Sequence, residues 1–154
     1  MAVTAGQRAP QFTLYSSELK EVSLSDYEGK KVVIHFFPMA FTGVCTSQLC
    51  TMRDDFGYYS GLSAEILAIS VDSPFTLARF KEENHFQFPL LSDFNREVCQ
   101  QYGAYYDEFV FGLKGVAKRA AFVVNGKQEI LYAEVLEAAA DLPNFEAIQK
   151  VVNT

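Results

Sequence analysis

No part of this 154-residue sequence is rich in positive charge, and that absence makes the first exclusion. Thirteen Lys and Arg stand against nineteen Asp and Glu, a formal charge of −6 with an isoelectric point near 4.9. A nucleic-acid binder carries a basic footprint, so no nucleic-acid partner is expected. Long apolar runs are also missing: none approaches the ~20 residues of a membrane span, and residues 1–10 lack the charged and apolar blocks of a secretory leader. A cytoplasmic protein with no membrane partner is the expectation. Cysteine occurs only three times, too few and of the wrong parity for a secreted disulfide framework. Histidine is scarcer still. His35 and His85 stand apart, and the C-x4-C pair of Cys45 and Cys50 has no second ligand pair downstream, so a closed zinc site lacks its tetrahedral set. The redox C-x-x-C spacing is absent as well.

What is present reads as a globular chain, 49% hydrophobic and 21% charged, able to bury roughly two-thirds of its unfolded surface. Repeats, low-complexity tracts and Ser/Gly linkers are lacking, so one domain over residues 1–154 is expected. Residues 11–15 and 21–24 suit a hairpin. Residues 31–37 (KVVIHFF) form a near-continuous apolar run, the pattern of a strand covered on both faces, and Pro38 ends it. Leu49, Met52, Phe56 and Tyr59 recur at helical spacing, predicting one helix over 42–59 with Thr42 as N-cap. Residues 65–71 read as a second buried strand, followed by a helix opened by Ser73-Pro74 and running to about Asn84. A short strand over 88–91 and a brief helix over 95–102, closed by Gly103, come next. Asn125-Gly126 between 120–124 and 129–135 is a strong hairpin signal, and residues 144–152 place Phe145, Ile148 and Val152 on one helical face. This order implies an α/β fold, a mixed central sheet flanked by helices on both sides.

Chemistry concentrates in residues 37–52, FPMAFTGVCTSQLCTM. With Thr42 as N-cap, Cys45 is the third residue of the first helical turn, where unpaired N–H groups and the positive end of the macrodipole favour thiolate over thiol. A packed, inert cysteine is the competing reading, since cysteine is among the most buried residue types. At 100° per residue Cys45 falls within about 40° of Leu49, Met52 and Phe56 and so faces inward. Cys50 lies about 140° away, and an intact helix separates the pair by about 7.5 Å along its axis, beyond the ~7 Å reach of a disulfide. A bond between them requires the first turn to unwind.

The segment P-M-A-F-T-G-V-C resembles the P-x-x-x-T-x-x-C signature of peroxiredoxins, with Pro38, Thr42 and Cys45 in register. The preceding strand, the polar segment before it and Leu91-Ser92-Asp93 extend the resemblance over nearly the whole chain. FFPMAFTGVC is most similar to the AhpE type, whereas Cys50 is similar to the bacterioferritin-comigratory (PrxQ) type. The resemblance implies a thioredoxin-like fold with an N-terminal β extension. It makes Cys45 the peroxidatic cysteine, oxidised to a sulfenic acid, with Thr42 hydrogen-bonding in the peroxide pocket and Pro38 shielding it from water. An arginine from a late strand belongs to the family, and Arg119 in Lys118-Arg119-Ala120-Ala121-Phe122 supplies it, stabilising thiolate and developing oxyanion.

Gln48 departs from the glutamate often found three residues after the active cysteine; it can still hydrogen-bond an arginine but adds no charge. Arg53 matches a second arginine of that helix, an exposed surface arginine being the alternative. Cys50 is either the resolving cysteine or a small residue on the far side of the helix. Cys99, beside Val98 and Tyr102, reads as packing, with a disulfide to Cys45 after rearrangement as the alternative. His35 reads as a satisfied core histidine, and the Phe and Tyr richness as core and subunit interface. The implied activity is reduction of hydrogen peroxide and small organic hydroperoxides without haem, flavin or metal. The cycle runs from thiolate to sulfenate, then to a Cys45–Cys50 disulfide reduced by a thioredoxin-like protein, in a homodimer. The alternatives are a one-cysteine cycle resolved by an external small thiol, and a non-enzymatic redox sensor or holdase.

Overall fold

A computed structural model describes residues 3–154; Met1 and Ala2, with which the leader and domain readings begin, lie outside them. The strands are β1 (Thr13–Ser16), β2 (Glu21–Ser23), β3 (Lys31–Phe36), β4 (Ala64–Ser70), β5 (Leu90–Ser92), β6 (Tyr105–Tyr106), β7 (Val116–Ala117), β8 (Ala120–Val124) and β9 (Ile130–Val135). Five α-helices alternate with them: α1 (Gly43–Asp54), α2 (Phe56–Gly61), α3 (Pro74–Asn84), α4 (Glu97–Gln101) and α5 (Phe145–Val152).

Seven strands form one mixed sheet in the order β2-β1-β5-β4-β3-β8-β9. At its centre β3 runs parallel to β4 and antiparallel to β8, which is why both neighbours and both faces of the KVVIHF run are covered. The β1–β2 hairpin docks antiparallel on β5 at the sheet margin, the expected N-terminal extension. Strand alternation divides the core. Val32, Ile34 and Phe36 pack with Tyr102, Val98 and Cys99 on one face, while Val33 and Phe37 pack with α1, α3 and α5 on the other. Each fully buried Val, Ile or Phe of β3 contributes about 1.5–3 kcal/mol. No helix is long and apolar enough to cross a membrane among the described residues.

Ser73 caps α3 by accepting from Thr76 N–H (3.1 Å), Asn144 caps α5 through Ala147 N–H (3.0 Å), and Gly103 at φ +71° follows α4. The continuous helix expected over 42–59 is broken at Asp55, whose carbonyl accepts from Tyr58 N–H (3.0 Å) to start α2. Aspartate is a weak helix-interior residue, and Gly57 just beyond it weakens continuation further. The short strand expected at 88–91 lies at Leu90–Ser92, and the brief helix is confined to Glu97–Gln101. The Asn125-Gly126 hairpin forms, with a different turn: the left-handed residue is Gln128 (φ +65°). Gly126 is required for close approach instead, because a Cβ there would lie 3.0 Å from the Gly29 backbone, and Gly29 N–H donates to the Gly126 carbonyl (2.9 Å). The ribbon of β6 and β7, with an apolar loop between them carrying Phe111 at 95% exposure, had no periodic signal.

Candidate active site

The C-terminal end of β3 and the start of β8 meet at one end of the sheet because the two strands are antiparallel, with Phe36 opposite Ala120. The chain leaving β3 turns through Pro38 into α1, and the residue entering β8 is Arg119. That register places two segments far apart in sequence against each other. Between Pro38 and α1 the backbone is held by Asp72, whose Oδ2 accepts from Ala40 N–H (2.8 Å) and from Ser70 Oγ (2.6 Å). Phe41 adopts φ +68°, a left-handed conformation that a bulky residue takes at a cost of about 1–3 kcal/mol and that marks a constrained, functional turn.

Cys45 is the third residue of α1 and is 2% exposed. Thr42 stands at the N-cap position, but its side chain does not cap. Its hydroxyl donates to the Met39 carbonyl (2.7 Å), and among the described residues no side chain accepts from the first turn. Those N–H groups stay available to an anion.

Arg119 reaches Cys45 from across the sheet end. Its Nη1 lies 3.2 Å from Cys45 Sγ and donates to Gln48 Oε1 (2.9 Å), while Nη2 donates to the Ala139 carbonyl (2.8 Å). Arg119 is 2% exposed, and its Nε has no partner among the described residues. A buried cation paired only with neutral acceptors gains most from a negative charge beside it, and Cys45 Sγ is the group placed to carry one. Gln48 in turn sits between Arg119 and His35: its Nε2 donates to His35 Nδ1 (2.9 Å) and to the Phe36 carbonyl (3.3 Å). The satisfied core histidine is therefore only half so. His35 Nε2 is unpartnered, and complete burial lowers the ring pKa to about 3, keeping it neutral.

Above Cys45 lies a cavity of about 300 Å³ lined by Pro38, Met39, Thr42, Cys45, Val110 and Arg119 among others. Its walls are mostly apolar, and Arg119 and the sulfur of Cys45 meet in it. The structure thus brings Pro38, Thr42, Cys45, Gln48 and Arg119 together. It sets Cys50 and Arg53 apart. Cys50 is not part of the cavity wall, and its Sγ lies 3.8 Å from Asn84 Oδ1. Arg53 pairs with Asp54 (3.0 Å) and donates to the Asn84 carbonyl (2.9 Å), tying α1 to the end of α3. Cys99 is on the opposite face of the sheet, in the other core cluster; all three cysteines are free.

His35, Ala139 and Val110 were missed as site residues. Only His35 carried a signal, a polar side chain in the middle of a buried strand.

The chain is similar to known proteins in sequence and in fold. The sequence profile of the AhpC/TSA family matches residues 5–133. A protein of Mycobacterium tuberculosis named as a peroxiredoxin is 40% identical over 134 residues, covering 86% of this chain and 85% of its own. Peroxiredoxin Bcp of Escherichia coli is 37% identical over 108 residues, covering 70% of this chain and 69% of its own. The crystal structure of peroxidoxin BcpB from Mycobacterium tuberculosis superposes with a TM-score of 0.87 at 26% identity, over 98% of this chain and 97% of that one.

Proposed function

This chain belongs to the AhpC/TSA family, the peroxiredoxins, thiol-dependent peroxidases, and from that membership we propose that Cys45 is its peroxidatic residue. The observation that carries the reading is Arg119 Nη1 at 3.2 Å from Cys45 Sγ on the floor of the cavity. The thiolate attacks the terminal oxygen of a bound hydroperoxide. An S–O bond forms as the O–O bond breaks, sulfur is oxidised to sulfenic acid, and the departing alkoxide or hydroxide takes a proton to leave as alcohol or water. Arg119 offsets the charge on sulfur and then on the departing oxygen, with donors aimed where charge develops. Thr42 and the first-turn N–H groups face the same space, and Pro38 keeps bulk water off the sulfur. The cavity has room for hydrogen peroxide and for small alkyl hydroperoxides.

Cys50 is the resolving thiol in this reading. Its sulfur attacks the Cys45 sulfenic acid and releases water, and a thioredoxin-like dithiol reduces the disulfide, becoming oxidised itself. The step needs the first turn of α1 to open, because the pair is five positions apart along the helix. A second reading, in which an external small thiol resolves Cys45, is favoured by the position of Cys50 against Asn84 rather than at the cavity. The cell compartment in this proposal is the cytoplasm, where the three free thiols stay reduced, and the assembly is a homodimer. Gln48 positions Arg119, whereas Arg53 serves α1–α3 packing.

Intact mass after one equivalent of peroxide tests the cycle. Loss of two hydrogens marks the internal disulfide, and a persistent gain of one oxygen marks external resolution. Wild-type protein that reacts only stoichiometrically, with no turnover in the presence of any thiol donor, overturns the peroxidase reading in favour of a sensor.

A further inference from the structure

An amide set between a cation and an imidazole has one orientation in which both contacts are attractive. Arg119 can only donate, so Gln48 must turn Oε1 toward Nη1 (2.9 Å). Its Nε2, also only a donor, then faces His35 Nδ1 (2.9 Å) and the Phe36 carbonyl (3.3 Å). His35 Nδ1 is therefore the acceptor, and the ring proton belongs on Nε2, the nitrogen left without a partner. The ring is fixed against Phe145, centroids 6.1 Å apart and planes 27° apart. Arg119 has no carboxylate partner among the described residues, so its aim depends on neutral acceptors alone.

We propose that His35 is a positioning residue of the peroxidase site: by accepting from Gln48 Nε2 it holds the amide with Oε1 toward Arg119, and so holds the guanidinium against Cys45. The inference rests on the reading of Cys45 and Arg119 above. Without the imidazole acceptor, rotation of the amide sets Nε2 against Arg119, donor facing donor, and the guanidinium loses one of its three anchors. Burial supports the arrangement by keeping the imidazole neutral, since a protonated ring has no acceptor to offer.

The test is a double-mutant cycle built on the difference between an amide and a carboxylate. Glutamate at position 48 accepts through both oxygens and has no orientation to lose. In the Gln48 protein, His35→Phe keeps the aromatic stack and should slow sulfenate formation about fivefold, the scale of one neutral hydrogen bond. In the Gln48→Glu background the same His35→Phe change should alter the rate by less than about twofold, the spread of independent effects. An equal loss in both backgrounds assigns His35 to packing and overturns the proposal, as does no loss in either. Wild-type protein gives a second readout that needs no variant to fold. Long-range proton–nitrogen correlation of the His35 ring should show the proton on Nε2; a proton on Nδ1 overturns the proposal. Failure of the peroxidase reading looks different: no sulfenate forms in wild type with one equivalent of peroxide, while the ring still carries its proton on Nε2.

Discussion

Cys45 and Cys99 are each the third residue of a helix, on opposite faces of one sheet, and each is buried, at 2% and 0% exposure. Their surroundings differ in the charge and the access that each sulfur meets. At α4 the first-turn N–H groups are already taken, since Asp93 accepts from Val98 N–H (3.1 Å) and Cys99 N–H (2.7 Å) through its two oxygens. Burial and then that carboxylate push the Cys99 thiol well up, away from thiolate. At α1 no side chain accepts from the first turn, a guanidinium stands 3.2 Å from the sulfur, and a cavity gives a way in. Helix position is common to both, so what distinguishes them is the sign of the nearest charge and access.

The comparison is broken most severely by exchanging the thiol proposed as peroxidatic. Cys45→Ser should abolish peroxide consumption with the fold intact, read by a coupled turnover assay with circular dichroism as control. Turnover by that variant moves the chemistry to another residue. Removing the charge alone comes next. Arg119→Met should slow sulfenate formation by about 10²-fold or more, the scale of one preorganised donor. An unchanged rate rejects the role of Arg119. Cys50→Ser should leave the first oxidation intact and stop recycling by thioredoxin, accumulating one- and two-oxygen adducts at Cys45 on mass analysis. Normal recycling makes Cys50 structural and points to an external thiol, because Cys99 lies behind the sheet.

A pH experiment sharpens the same contrast from the side of the network. His35 titrates near its ordinary value in the unfolded chain and at about 3 in the folded one. Below the ordinary histidine value the unfolded chain binds a proton that the folded one refuses, so stability falls as pH drops from there toward 3. The extra slope approaches about 1.4 kcal/mol per pH unit in denaturant titrations and should be missing in His35→Phe. The smallest effect belongs to the inert thiol. Cys99→Ala should leave turnover within about twofold and cost about 1 kcal/mol, a small buried deletion on the opposite face.

Much of the site was legible because it is local. Pro38, Thr42 and Cys45 lie within eight consecutive residues, and α1 turns Cys45, Leu49 and Met52 to one buried face as their spacing predicts. Even here the Thr42 side chain departs from the expected cap, since Phe41 in the left-handed region brings the Met39 carbonyl within its reach. The Gln48–His35 contact was not legible. A helix and a strand joined by a turn have no repeat in sequence that reveals how they are rotated about each other.

Local sequence by itself determined the longer strands β3, β4, β8 and β9, the start of α1 and the inward facing of Cys45, because hydrophobic period and backbone propensity act over a few residues. Arg119 came into view only through a family resemblance, for nothing in its own neighbourhood marks it. Its contact with Cys45 spans 74 residues. What closes that distance is the antiparallel pairing of β3 with β8, which sets the end of one strand beside the start of the other. Pairing and register are decided by the packed sheet as a whole, so the charge beside each cysteine, and with it the difference between Cys45 and Cys99, belongs to the tertiary structure.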